Sequence, residues 1–169
     1  MTQDYNSPVV ILLGSNLGNR EQILEEARQS LDELFGYHLL YSRICITPPW
    51  GFSADQDFFN QVAVAETWGD VPEKLLDALL RIEENAGRHR SSSVGYSSRT
   101  LDLDILYMGS QIIHTPRLRV PHPRIAERRF TLEPLCELLP HFKHPVHGVS
   151  NTTLLEQCAD PSQITWNVD

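Results

Sequence analysis

Phe58-Phe-Asn-Gln-Val-Ala-Val-Ala-Glu-Thr67 decides the fold. Phe59, Ala63 and Ala65 point one way and Phe58, Asn60, Val62 and Val64 the other, the two-residue period of a β-strand. The preceding stretch, His38 to Thr47, is rich in aromatic and β-branched residues and closes on the breaker Pro48-Pro-Trp-Gly51, so it also reads as a strand. Only a loop joins the two. After them, Asp70-Val-Pro-Glu73 resembles a capping box with proline in the first turn. Leu75, Leu76, Leu79, Leu80 and Ile82 then give a helical stripe to about Gly87.

Upstream, Val9 to Leu13 is a continuous apolar run that ends in Gly14-Ser-Asn-Leu-Gly18, a buried strand feeding a polar loop. Asn19 is placed to cap a helix, with Gln22 three positions on. Ile23, Leu24, Ala27, Leu31, Leu34 and Phe35 form its apolar face until Gly36. Downstream, Arg88 to Arg99 has no periodicity and is long enough for a functional loop, and Thr100 to Met108 alternates cleanly as a fourth strand. Strand, helix, strand, strand, helix, strand is the split βαβ order. The fold class expected is α+β: a ferredoxin-like β-α-β-β-α-β antiparallel sheet backed by two helices. Beyond Gly109 come a short strand at Gln111 to His114, a basic loop to Arg124, and helical segments near Ile125 to Phe130, Leu132 to Leu139 and Thr152 to Cys158. These form a C-terminal helical/loop extension within a single domain, residues 1–169.

At 169 residues, 41% hydrophobic and 21% charged, the chain can bury roughly 70% of its unfolded surface without disulfide or structural metal. Its start has no basic n-region, and Val9 to Leu13 is too short for a signal core or a membrane span. Cys45, Cys136 and Cys158 form no Cys-x-x-Cys pair. A cytoplasmic protein, with no membrane partner and expected to be a monomer, follows. The net charge of −8 argues against broad nucleic-acid binding, yet nine arginines and five acids lie between Arg81 and Arg129, leaving −12 on the rest. The planar guanidinium fork suits phosphate oxygens.

Within that segment, Arg99-Thr-Leu-Asp-Leu-Asp-Ile105 places Asp102 and Asp104 about 6.5 Å apart on one face of a strand, with Leu101, Leu103 and Ile105 on the other. Read alone, the pair fits either the solvated face of an edge strand or a site for hard cations. Mg²⁺ prefers few carboxylates together with substrate phosphates. Arginines before and after the pair point to a polyphosphate site, where positioning and charge neutralisation carry phosphoryl transfer. Gly14 to Gly18 lacks the lysine and spacing of a P-loop and is read as backbone shaping for a ligand. His122, held between two prolines, is a nucleotide-contact candidate, whereas His141, His144 and His147 match no zinc pattern. Trp50, Phe58, Asn60 and Phe130 could form an aromatic slot with one polar reader.

Eight segments in order resemble the 6-hydroxymethyl-7,8-dihydropterin pyrophosphokinase family: Leu13-Gly-Ser-Asn-Leu17, Thr47-Pro-Pro-Trp-Gly51, Asp57-Phe-Phe-Asn60, Arg81-Ile-Glu83, Gly87-Arg88, Arg99 to Ile105, Val120-Pro-His122 and Arg128-Arg-Phe130. The resemblance implies transfer of diphosphate from ATP to a pterin alcohol in folate biosynthesis, with attack on the β-phosphorus and release of AMP. It implies that Asp102 and Asp104 bind two Mg²⁺. Arg88 and Arg99 join them as catalytic residues. Glu83, Arg88, Arg90, Arg99, Ile105, Arg117, His122 and Arg128 would contact ATP. Gly14, Thr47, Pro49, Trp50, Phe58, Asn60, Asp102 and Phe130 would hold the pterin, with Asn60 reading the ring edge. The chain departs from the family pattern at Tyr96-Ser-Ser-Arg99, where many relatives carry Trp-Gly-Pro-Arg.

Two other readings use the same element order or the same acids. RNA-recognition modules share the topology but want exposed aromatics on central strands, where this chain is read to carry Asp102 and Asp104. A Mg²⁺-dependent nucleotide hydrolase would consume ATP without any pterin.

Overall fold

The computed structural model describes residues 7–49, 56–87 and 100–167. Val9–Ser15 forms β1, every residue of it buried, because it lies between two strands and is covered on both faces. It pairs antiparallel with β4 (Phe58–Ala65) on one side and with β5 (Asp102–Met108) on the other. The stretch predicted as one second strand divides into β2 (Leu40–Tyr41) and β3 (Cys45–Thr47), both against β4. The break has a local cause. Five residues from Tyr41 to Cys45 run against four from Ala63 to Asn60, so one extra residue bulges out. Ser42 fills the gap: its Oγ accepts the Val62 N–H at 2.9 Å, and its carbonyl accepts Gln61 Nε2 at 2.6 Å.

The sheet runs β5-β1-β4-β3, with β2 also on β4. Counting β2 and β3 as one strand, this is the ferredoxin-like order of the four predicted strands. Two short pairings escape the sequence reading. Thr165–Trp166 (β8) extends the sheet beyond β3. Within the predicted basic loop, Arg119–Val120 (β7) pairs with Ile113–His114 (β6) as a hairpin.

Helix α1 (Arg20–Phe35) begins where expected, with Asn19 Oδ1 accepting the Gln22 N–H at 3.2 Å, and it ends at Gly36 with φ +80°. That left-handed turn suits glycine. Helix α2 (Pro72–Asn85) does not form the predicted capping box. Its N-cap is Val71 and its first residue Pro72, so Asp70 falls one position outside; there it accepts the Val71 N–H and pairs with Lys74 at 2.7 Å. Both helices pack on one face of the sheet, against Ile11, Leu13, Ala63, Leu103 and Ile105.

The helical segments expected beyond Gly109 belong to the other face of the sheet. There, α3 (Arg129–Leu138) and α4 (Asn151–Gln157) cover Val10, Leu12, Val62, Val64, Leu106 and Tyr107. The reason is in β1 and β4, whose two faces are both apolar and would leave one in water without a third layer. Buried Asn151 fastens that layer, its Oδ1 accepting Tyr107 Oη–H at 2.7 Å while its Nδ2 donates to Leu139 O at 2.8 Å.

Among the described residues, strand β5 ends the sheet rather than lying in its centre. Its alternation is not clean to Met108 as predicted: Ile105 pairs with Ile11 but Tyr107 with Val10, so Leu106 is bulged and shares the second layer with Tyr107. Among the described residues, no helix is long and apolar enough to cross a membrane.

Candidate active site

Register brings the site together. Cys45 pairs with Asn60, Asn60 with Gly14 and Gly14 with Asp102, one row across β3, β4, β1 and β5. Directly paired residues share a face. The adjacent row reads Val62, Leu12, Asp104. Asp102 and Asp104 therefore project from the same face, as predicted, while Leu103 and Ile105 enter the core under α1 and α2. Leu103 is fixed from outside the sheet: Glu83, buried on α2, accepts its N–H at 2.8 Å. An edge strand normally leaves that donor to water; here it sets the backbone between the two acids.

Gly14 is a floor. A Cβ there would stand 3.1 Å from Asn60 Oδ1, so only hydrogen fits comfortably between the amide and the neighbouring rows. Asn60 is 3% exposed and donates from Nδ2 to Thr47 Oγ1 at 3.3 Å; Thr47 is equally buried. Phe58 pairs with Thr47 on the same face. Phe130 packs at the edge of the second layer, one position into α3 from Arg129, and lies under the Arg128 guanidinium at 5.5 Å.

The charges near the acids are concentrated by burial. Arg128, 7% exposed, has its pKa lowered first by burial and also by Arg124, while Asp104 and Asp102 counter that shift. His122 is pushed down to about 4 by burial and then by Arg128, against the pull of Asp102, so its ring is neutral at pH 7. Its Nδ1 accepts the Arg124 N–H at 3.2 Å, which puts the ring proton on Nε2 as a donor. Two carboxylates, a buried guanidinium and a neutral imidazole donor suit a polyphosphate whose charge is partly met by cations.

The predicted residues do not all converge. Ile105 points its side chain into the opposite core, and Arg117 on the β6–β7 turn bonds Asp77 of α2 at 2.5 Å. Arg88, Arg90, Arg99 and Trp50 lie outside the described residues; Pro49 is partly buried just after β3. Arg124 belongs to the charged cluster and was missed, because nothing local distinguishes it from the neighbouring arginines. Among the described residues, no three His, Cys, Asp or Glu are grouped to hold a metal by themselves.

The profile of the 7,8-dihydro-6-hydroxymethylpterin-pyrophosphokinase (HPPK) family matches residues 10–140. The chain belongs to this family. Two relatives are each named 2-amino-4-hydroxy-6-hydroxymethyldihydropteridine pyrophosphokinase. That from Haemophilus influenzae is 39% identical over 93% of this chain and 96% of its own length; that from Pseudomonas aeruginosa is 38% identical over 81% and 83%. Family membership makes the chain a diphosphotransferase. The folic acid synthesis protein fol1 of Pneumocystis carinii is 36% identical over 92% of this chain, which spans only 20% of that protein. The fold matches a crystal structure of wild-type HPPK-DHPS from Plasmodium falciparum, with TM-score 0.66 and 15% identity over 89% of this chain and 44% of that one.

Proposed function

We propose that this single domain transfers diphosphate from ATP to the hydroxymethyl group of 6-hydroxymethyl-7,8-dihydropterin, releasing AMP, as a monomer in the cytoplasm. The observation that carries the reading is the row Asn60, Gly14, Asp102, which sets a polar reader and an open floor beside the acid pair. A flat bicycle with an amide-like edge can lie on Gly14, present its edge to Asn60 and Thr47, and stack against Phe58 and Phe130. That pose brings its hydroxyl toward Asp102. The hydroxyl oxygen forms the new bond to the β-phosphorus and gives up its proton to water, the bond from that phosphorus to the α–β bridging oxygen breaks, and AMP leaves. Alignment of the two substrates can supply roughly 7–11 kcal/mol of the acceleration.

Asp102 and Asp104 fit Mg²⁺, since two carboxylates with no third His, Cys, Asp or Glu grouped beside them among the described residues suit an ion that keeps phosphate and water in its shell. When bound there, two such ions would neutralise phosphate charge. Arg128 supplies a fixed positive charge beside the acids, and His122 a neutral Nε2–H donor. Both are held by burial rather than by solvent-exposed tethers. Net charge −8 and a site organised on carboxylates favour a small nucleotide over nucleic acid.

Incubation with ATP, Mg²⁺ and the pterin alcohol is expected to yield AMP and pterin diphosphate in equal amounts. Formation of ADP, or ATP loss independent of the pterin, would overturn the reading.

A further inference from the structure

Helix α3 carries Phe130 and follows Arg128, yet its own N-cap residue, Arg128, makes no side-chain capping bond. The cap comes from thirty-one residues downstream. Asp160, 8% exposed, accepts the Arg129 N–H on Oδ2 at 3.0 Å, and its carbonyl accepts Arg129 Nε at 3.1 Å. Its other carboxylate oxygen takes the N–H and hydroxyl of Ser162, at 2.9 and 2.6 Å. A carboxylate at a helix N-terminus satisfies an orphan donor and opposes the positive end of the dipole.

From Ser162 the chain runs to the far side of the slot. Thr165 and Trp166 pair with Ile46 and Cys45, and Asn167 N–H reaches Ile44 O at 2.9 Å. Trp166 lies under the Arg43 guanidinium at 4.4 Å, and Arg43 Nε bonds Glu137 of α3 at 3.3 Å. One segment thus grips the first turn of α3, which carries Phe130, and the strand that ends in Thr47. Both are walls of the slot. The segment lies outside residues 10–140 matched to the family.

We propose that Asp160 to Trp166 is a strap that sets the separation of the two slot walls, with Asp160 a positioning residue acting through the first turn of α3. The proposal rests on the pterin reading above. Its consequence is a loss of pterin affinity larger than any loss of ATP affinity when the cap is removed, because Phe130 lies inside the freed turn while Arg128 only adjoins it and the acid pair stands on β5.

The test is steady-state kinetics of Asp160→Ala and Asp160→Asn, with Ser150→Ala as control. Ser150 caps α4 through the Thr153 N–H at 3.1 Å, away from the slot, so its loss matches the stability cost of a cap without touching the walls. Asp160→Ala is expected to raise KM for the pterin alcohol ~10-fold, the equivalent of one cap, with a clearly smaller rise in KM for ATP, whose phosphate-facing Arg128 adjoins the freed turn. Asp160→Asn, still a competent cap, should restore most of the pterin affinity, and Ser150→Ala should lower Tm with both KM values unchanged. A wild-type pterin KM in Asp160→Ala, or equal rises in both KM values, would overturn the strap. No pterin-dependent turnover by the unsubstituted chain would instead overturn the function reading and with it the strap's role.

Discussion

Replacing Gly14 by alanine adds one methyl group to the floor between Asn60 and Asp102. Gly14 has no positive φ, so alanine can adopt the backbone, and strand entropy favours it by roughly 0.5–1 kcal/mol. The new Cβ would meet Asn60 Oδ1 at 3.1 Å, a few tenths of an ångström inside comfortable contact. Asn60 is buried and its bond to Thr47 is already 3.3 Å long, so turning the amide away breaks it, at about 1 kcal/mol. Overpacking adds roughly 1–3 kcal/mol. The net loss, about 1–3.5 kcal/mol, should lower Tm by roughly 2–14 °C for a chain of this length. Turnover should suffer more, since in the proposed pose the displaced amide reads the pterin and the methyl occupies its floor. A ~10–100-fold fall in kcat/KM for the pterin is expected from sub-ångström misplacement, with KM for ATP little changed. Thermal unfolding and AMP release measure the two effects separately. Wild-type kcat/KM in a folded Gly14→Ala variant would refute the assignment of Gly14 as the floor.

Glu83→Ala leaves the Leu103 N–H without its acceptor and should cost about 1–3 kcal/mol in urea unfolding as well as turnover, whereas Glu83→Gln keeps an acceptor and should lose less; equal stability of all three proteins would show the bond is dispensable. Asp102→Asn and Asp104→Asn should each reduce turnover by orders of magnitude with little change in Tm, because loss of a proposed cation ligand removes charge stabilisation; full activity in either would remove that residue from the proposed site. His144 is pushed down to about 4 by burial and then by His147, its Nδ1 accepting the N–H groups of Val146 and His147. The neutral ring is therefore favoured in the folded state, and its contribution is complete above the unfolded value near 6.5 and lost as pH falls toward 4. His144→Asn should flatten the fall of unfolding free energy over that window by up to ~1.4 kcal/mol per pH unit, and an unchanged slope would show the ring titrates normally.

Short-range periodicity sufficed for much of this fold. The cap at Asn19, the stop at Gly36 and the alternation of β4 are decided by neighbours within four residues, and each matches the structure. The paired acids were legible for the same reason: residues two apart on a strand must share a face until a bulge intervenes, and the bulge at Leu106 comes just after them. Where a prediction failed, a competing local group was responsible, as with Pro72 displacing the capping box or Ser42 taking up the extra residue between β2 and β3.

From sequence alone came the element order, the acid pair, and motifs specific enough to point to the family. Tertiary structure decided what those pieces do to one another: that Gly14 lies between Asn60 and Asp102, that Glu83 holds Leu103, that Arg128 is buried beside the acids, and that Asp160 caps α3. Each of those contacts joins residues twenty or more apart in the chain. A hydrogen bond across such a separation leaves no period in the sequence, because any donor and acceptor can serve once the fold has carried them within 3 Å.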